Sequence, residues 1–154
     1  MTNETGERPW KRFQNKVVFI TGGSKGIGFA SAKYFLQEGA IVVICSRSAE
    51  NVDSALEKLK KYGKVYGEVG DLSEEKIVEK IFEKVHSQFG RIDVLINSAG
   101  ITKPAKIEDI SLDEWRYIID NNLTISFLTC KHVLKYMKEK RYGNYLAKHC
   151  LQQK

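Results

Sequence analysis

Cysteine, histidine and proline are all scarce, and each scarcity excludes something. The three cysteines, Cys45, Cys130 and Cys150, make an odd count without framework spacing, which argues against a disulfide-stapled scaffold and fits a reducing compartment. Cys130 and His132 lie two apart on a helical stretch and cannot face one ion together, while His149 and Cys150 stand without further ligands. No metal site is expected, and His86 reads as part of an amphipathic helix. Only two prolines accompany 42% hydrophobic residues among 154, the makeup of a single soluble globular domain with one core. No apolar run approaches the roughly 18 to 20 residues that a membrane span needs. The opening MTNETGERPW is polar and acidic rather than basic and then apolar, so a cytoplasmic location is expected.

What is present is charge. The net charge of +6 comes from 25 basic and 19 acidic residues, and most lysines lie among glutamates in helical stretches such as SEEKIVEKIFEKVHSQFG. That pattern describes a solvated helix face, so nucleic acid is not the expected partner; an anionic small molecule is.

Short β-branched runs alternate with runs of helical period along nearly the whole chain, with no internal repeat, linker or low-complexity tract. Strands are predicted near Lys16 to Thr21, Ala40 to Cys45, Lys64 to Gly70 and Ile92 to Asn97. The first helix, GIGFASAKYFLQEG, has its predicted apolar face at Ile27, Ala30, Tyr34 and Phe35 and closes at Gly39. The second, NVDSALEKLKKYG, stops at Gly63, and the third takes Ser73 as its predicted N-cap. After the loop around Pro104, one long helix is predicted from its Ser111 cap, with apolar positions at Leu112, Trp115, Ile118, Ile119, Leu123, Phe127 and Val133. Continuous apolar strands alternating with helices imply an α/β fold, a doubly wound parallel sheet of order 3-2-1-4.

The most specific stretch is TGGSKGIG, where the first strand turns into the first helix. Gly22, Gly26 and Gly28 remove side chains there, so backbone amides and the helix dipole can come close to a pyrophosphate. The spacing is G-x-x-x-G-x-G, neither the G-x-G-x-x-G of the general dinucleotide fingerprint nor a P-loop.

TGGSKGIG, Asp71 in VGDLS after the third strand, NSAG (Asn97 to Gly100) after the fourth, and Asn122 in DNNLTISF together resemble the short-chain dehydrogenase/reductase family. The resemblance runs from about Asn15 to about Lys140, and SRSAENVDSALEKL is similar to the carbonyl-reductase branch. Many members have NNAG where this chain has NSAG, so Ser98 is a small departure. The resemblance implies a Rossmann fold whose glycine turn holds the cofactor pyrophosphate. It also implies an adenine contact at Asp71 and a nicotinamide-ribose wall at NSAG that also stabilises the central sheet. At Asn122 it implies a helix kink whose backbone carbonyl holds a water in a proton relay. The expected cofactor contacts are Thr21, Gly22, Ser24, Lys25, Gly26, Ile27, Gly28, Ser46, Arg47, Asp71, Leu72, Asn97, Ala99 and Gly100, and the expected catalytic residue is Asn122.

Cofactor choice has a physical reading too. An NAD site wants a carboxylate at the end of the second strand for the ribose hydroxyls, whereas a 2′-phosphate wants a cation there. This chain has Ser46 and Arg47, with no carboxylate until Glu50, and Lys25 adds a second positive charge on the same side. NADP(H) is therefore the expected cofactor.

The family's chemistry also uses a serine at the end of a fifth strand and a tyrosine followed four residues later by a lysine. After RYGN this chain continues YLAKHCLQQK, where neither a fifth strand nor such a serine is expected. Tyr136 and Lys140 have the right spacing in the wrong element, at a helix end, and Tyr145 and Lys148 are three apart. The expectation is an extension over 1–14, an NADP(H)-binding domain over 15–141, and a divergent tail over 142–154. The chain would then be truncated after the fourth strand and its long helix, leaving that strand as an apolar edge prone to association. Two readings stand: the cofactor-binding half of an oxidoreductase whose alcohol or carbonyl substrate is met only if the chain is completed, or a catalytically inert module that holds nucleotide, self-associates or pairs with a full-length relative through the long helix.

Overall fold

Strand β1 (Val17–Thr21) is buried along its whole length, four apolar residues and then Thr21, as a strand must be when helices cover both faces of its sheet. The computed structural model, which describes residues 11–139 and 142–147, sets beside it β2 (Ile41–Ser46), β3 (Val65–Val69), β4 (Val94–Asn97) and β5 (Asn144–Ala147). The order is β3-β2-β1-β4-β5 and every neighbouring pair is parallel. Side chains alternate between two cores. Phe19, Val43 and Leu95 face Phe82 and Val85 of α3 (Glu75–Phe89) and Val133 of α5 (Ile125–Glu139). Ile20, Val42 and Ile44 face Ala32 and Leu36 of α1 (Gly26–Gln37) and Val52 and Leu59 of α2 (Ala49–Leu59). The result is the expected doubly wound Rossmann sheet, and none of the described helices is long and apolar enough to cross a membrane.

Four local expectations are corrected. The buried stripe of α1 is Gly28, Ala32 and Leu36, whereas Ile27 and Tyr34 are exposed and Phe35 is only partly covered, edge-on to Phe13 at 4.7 Å. Close approach decides it: a Cβ at Gly28 would lie 2.3 Å from the Gly22 carbonyl oxygen, so only the small-residue side of the helix can face the turn. The N-cap of α3 is Glu74, not Ser73. The Ser73 hydroxyl and amide both donate to the Asp71 carboxylate, at 2.7 and 3.0 Å, which commits that serine to the preceding turn.

The long helix is not one α-helix. It is α4 (Leu112–Ile119), a π-helical segment (Asp120–Thr124) and α5. Ser111 does cap it, through a reciprocal box in which the Glu114 amide donates to Ser111 Oγ and the Ser111 amide donates to Glu114 Oε2. The wide π turn breaks the phase of the apolar pattern. Val133 is buried as expected, but Leu112, Trp115, Leu123 and Phe127 are exposed, and the core face of α5 is instead Ile125, Leu128, Val133, Tyr136 and Met137.

The fourth correction concerns the fifth strand, which the sequence reading did not anticipate. Residues Asn144 to Ala147 pair with Val94 to Asn97, and the Asn144 amide donates to the Asp93 carbonyl at 3.0 Å. Strand β4 is therefore interior and β5 takes the edge. Asn and Ala are poor strand formers, so propensity conceals this element. A tight crossing delivers it: a Cβ at Gly143 would meet Met137 Cγ at 2.4 Å, so glycine lets the chain pass close to α5 into the sheet without displacing the Met137 side chain. Part of the segment expected as a divergent tail thus joins the sheet.

Candidate functional site

In this strand order the connections leave β1 and β4 in opposite directions, which opens a crevice at their carboxyl ends. A cavity of about 400 Å³ occupies it, within the usual size range of small-molecule sites. The glycine turn forms one wall through Gly22, Ser24, Lys25, Gly26 and Ile27. Gly22 and Gly26 have φ of +64° and +54°, a backbone that side chains rarely permit, and the Gly22 amide is tied to the Cys45 carbonyl at 2.9 Å. Lys25, at the N-cap of α1, makes no side-chain capping bond, and the first turn carries no acidic residue. The helix's leading amides and its positive end therefore stand at the cavity unclaimed by any side-chain cap, the arrangement that receives a phosphate.

The second wall comes from β2 and β3. Ser46, Arg47 and Asn51 line it, with Gly70 and Leu72 beyond. Arg47 is exposed, and its Nη1 donates to Asn121 Oδ1 at 3.0 Å. Asp71 stands next to Leu72. Burial alone would raise its carboxyl, but the Ser73 amide and hydroxyl bonds, with the charge of Arg47, outweigh that and hold it below the ordinary range. Cys45, fully buried beneath this wall, has its thiol pushed up to about 12 by burial and then by Glu68.

The third wall is Ser98, Ala99, Gly100 and Ile101, backed by the π segment. Thr21 and Asn97, both expected as cofactor contacts, are buried and act as its scaffolding. Thr21 Oγ1 accepts the amides of Ser98 and Ala99, each at 3.0 Å. Asn97 Oδ1 accepts the Thr129 hydroxyl at 2.8 Å, and its Nδ2 donates to Cys130 Sγ at 3.4 Å. Asn122 clasps the backbone of Ile101, donating to its carbonyl at 3.1 Å and accepting its amide at 3.2 Å. The backbone carbonyl of Asn122 accepts the Ser126 hydroxyl at 3.0 Å. Gly100 packs so closely that a Cβ there would lie 2.6 Å from Asn122 Oδ1.

Asn51, Ile101, Asn121 and Ile125 line the cavity but were not expected. The signal for Asn121 is its place beside Asn122 in the π turn, which a uniform helical period hides. Tyr136 is elsewhere. It is buried between α3 and α5, stacked on His86 with ring centroids 4.4 Å apart. Its phenol is pushed up by burial and then by Glu83, Glu139 and Glu79. Lys140, Lys148, His149 and Cys150 lie outside the described residues. Among the described residues, no group of three or more His, Cys, Asp or Glu comes together to hold a metal ion.

The comparisons with known proteins agree with this geometry. The sequence profile of the short chain dehydrogenase family matches residues 16–146. The chain is 38% identical over 135 residues to an uncharacterized oxidoreductase of Bacillus subtilis (strain 168), covering 88% of this chain and 51% of that one. It is 36% identical to a 3alpha-hydroxysteroid dehydrogenase of Mediterraneibacter gnavus, covering 84% of this chain and 53% of that protein. The crystal structure of NAD+-bound xylitol dehydrogenase superposes with a TM-score of 0.85 at 28% identity, covering 88% of this chain and 53% of that structure. The chain thus spans about half the length of the relatives it matches.

Proposed function

The chain belongs to the short chain dehydrogenase family, and from that premise we propose that it binds NADP(H) as the cofactor-holding half of a cytoplasmic oxidoreductase acting on alcohol or carbonyl compounds. A bound nicotinamide cofactor would carry the hydride in that chemistry. The unclaimed amides at the head of α1 hold the pyrophosphate, and Gly22 and Gly28 keep that approach free of side chains. Leu72 and Asp71 flank the adenine, Ala99 and Gly100 the nicotinamide ribose, and the Asn122 carbonyl holds a water on the substrate side.

The observation that carries the cofactor choice is Arg47. It lines the cavity at the end of β2, Lys25 lines it from the glycine turn, and no carboxylate lines the cavity among the described residues. A guanidinium there favours a 2′-phosphate through its planar fork, where a carboxylate would favour the free hydroxyls. Fluorescence titration of the full chain with NADPH and NADH tests this. NADPH is expected to bind more tightly, and Arg47→Ala to remove about tenfold or more of the preference, the size of one lost charge-assisted phosphate contact of roughly 1 to 3 kcal/mol. Equal titration curves for the two cofactors in the unmutated chain would overturn it.

A second reading has its own observation. Leu123 and Phe127 are each 61% exposed on one face of the π segment and α5, beside Cys130 and Leu134, and such an apolar face suits a module that pairs with another copy or with a full-length relative. Free thiols at Cys45 and Cys130 suit a reducing cytoplasm under either reading. Sedimentation of the unmutated chain and of Phe127→Lys separates them, since a monomer in both would leave pairing without support.

A further inference from the structure

The contact between Arg47 and Asn121 joins the end of β2 to the π segment across the mouth of the cavity, and neither residue is there by helical or strand periodicity alone. Asn121 is buried, with its side-chain orientation held from behind: Nδ2 donates to the Tyr117 carbonyl at 2.8 Å. That bond turns Oδ1 toward the cavity, where it accepts from Arg47 Nη1 at 3.0 Å. Arg47 itself is exposed, so without this acceptor its long side chain would be free to sample many rotamers in water. The bond occupies one nitrogen. A guanidinium presents five N–H groups in a rigid fork, so the remaining donors stay available for two oxygens of one phosphate. The same turn of π-helix also carries Asn122, which clasps Ile101 on the facing wall. Two consecutive asparagines thus brace two walls of one cavity, and it is the wide turn that lets neighbours in sequence serve both.

We infer that Asn121 is a positioning residue that holds the Arg47 guanidinium over the cavity, ready for the 2′-phosphate of an adenosine 2′,5′-bisphosphate moiety, and thereby sets the cofactor preference. The inference rests on the NADP(H) reading above. Its physical basis is pre-organisation: a side chain already ordered loses less entropy when the ligand arrives. The alternative physical outcome is competition, in which Asn121 detains Arg47 and must release it before a phosphate can bind.

Calorimetric titration of the full chain with 2′,5′-ADP and with 5′-AMP distinguishes them, since the two probes differ only in the phosphate at issue. Asn121→Ala is expected to weaken 2′,5′-ADP about three- to tenfold, the cost of ordering one rotamer-rich side chain, and to leave 5′-AMP within about twofold. In the Arg47→Ala background the same substitution should cost nothing further, because Asn121 acts only through the guanidinium. Asn121→Leu, which keeps about the same volume, is a good helix former and so retains the fold if the alanine variant does not, removes the same acceptor and should weaken 2′,5′-ADP to the same extent, again sparing 5′-AMP. Equal losses for both probes would reduce Asn121 to a purely structural residue and overturn the inference, and so would tighter 2′,5′-ADP binding in Asn121→Ala. If the unmutated chain does not distinguish the two probes, the NADP(H) reading fails and takes this inference with it. If it does distinguish them and Arg47→Ala abolishes the difference while Asn121→Ala keeps it, the inference fails alone.

Discussion

Thr21 is where fold and cavity depend on the same oxygen, and Thr21→Val isolates that oxygen. The side chain is fully buried at the end of β1, and its Oγ1 accepts two amides from the loop that forms the third wall, Ser98 and Ala99, each at 3.0 Å. Valine reproduces the shape, so no cavity opens and strand propensity is retained or improved. What is lost is the acceptor. An orphaned donor costs roughly 1 to 3 kcal/mol, and both amides here are only partly buried, so the lower part of that range applies to each and the sum is about 2 to 4 kcal/mol. Thr21→Ser keeps the acceptor and removes one methyl, a loss of about 1 kcal/mol. The expected order of stability is therefore threonine, then serine, then valine, whereas burial of apolar surface alone would put valine first and serine last. Urea unfolding of the three proteins measures it through the midpoint at constant slope. The loop wall should also shift, so cofactor affinity should fall more in the valine than in the serine variant. A valine protein within about 0.5 kcal/mol of the unmutated one, or a serine protein less stable than the valine one, would refute the reasoning.

Other outcomes follow from the same structure. Gly28→Ala in a solvated helix would gain about 1 kcal/mol, but here the added Cβ would meet the Gly22 carbonyl oxygen at 2.3 Å and its carbon at 2.8 Å, backbone that cannot yield cheaply. We expect a net loss of roughly 1 to 3 kcal/mol, as overpacking costs, with weakened nucleotide binding; a rise in thermal midpoint would contradict the close contact. At the start of α4, a hydrogen bond from Lys103, with those from the Ser111 amide and hydroxyl, takes the Glu114 carboxyl from its ordinary 4.5 to about 2. Because the folded value is depressed, the cap's contribution is complete above pH 4.5 and is lost as pH falls toward about 2. Carboxyl resonances followed by NMR should show Glu114 titrating well below the other glutamates at low salt and less so at high salt, since the group is exposed; a midpoint near 4.5 would remove the capping box from solution.

The sheet was legible because its strands announce themselves: Val17 to Ile20 and Ile41 to Cys45 are continuous apolar runs, and the strand bounds observed fall within a residue or two of those expected. The glycine turn was legible because its chemistry demands glycine at Gly22 and Gly28, where a Cβ would strike backbone. What stayed hidden depends on geometry that no local signal carries. Strand β5 has weak propensity and exists because β4 offers a row of backbone partners and Gly143 can pass Met137. The π turn is hidden for a related reason. One extra residue in the helix costs little in sequence terms, yet it moves Leu123 and Phe127 to the outside and carries Asn121 round to Arg47. A reader who imposes a uniform 3.6-residue period on residues 112–139 assigns the wrong residues to the core and overlooks a cavity residue, both from the same error of phase. The exposed apolar face and the Asn121 contact are therefore one structural event seen from two sides. Restoring a regular α-helix, by deleting one residue of the Asp120–Thr124 segment, should bury part of that face and break the Arg47 contact together. Loss of 2′,5′-ADP preference with the exposed face unchanged, read by the sedimentation of the deletion variant, would show that the two are independent.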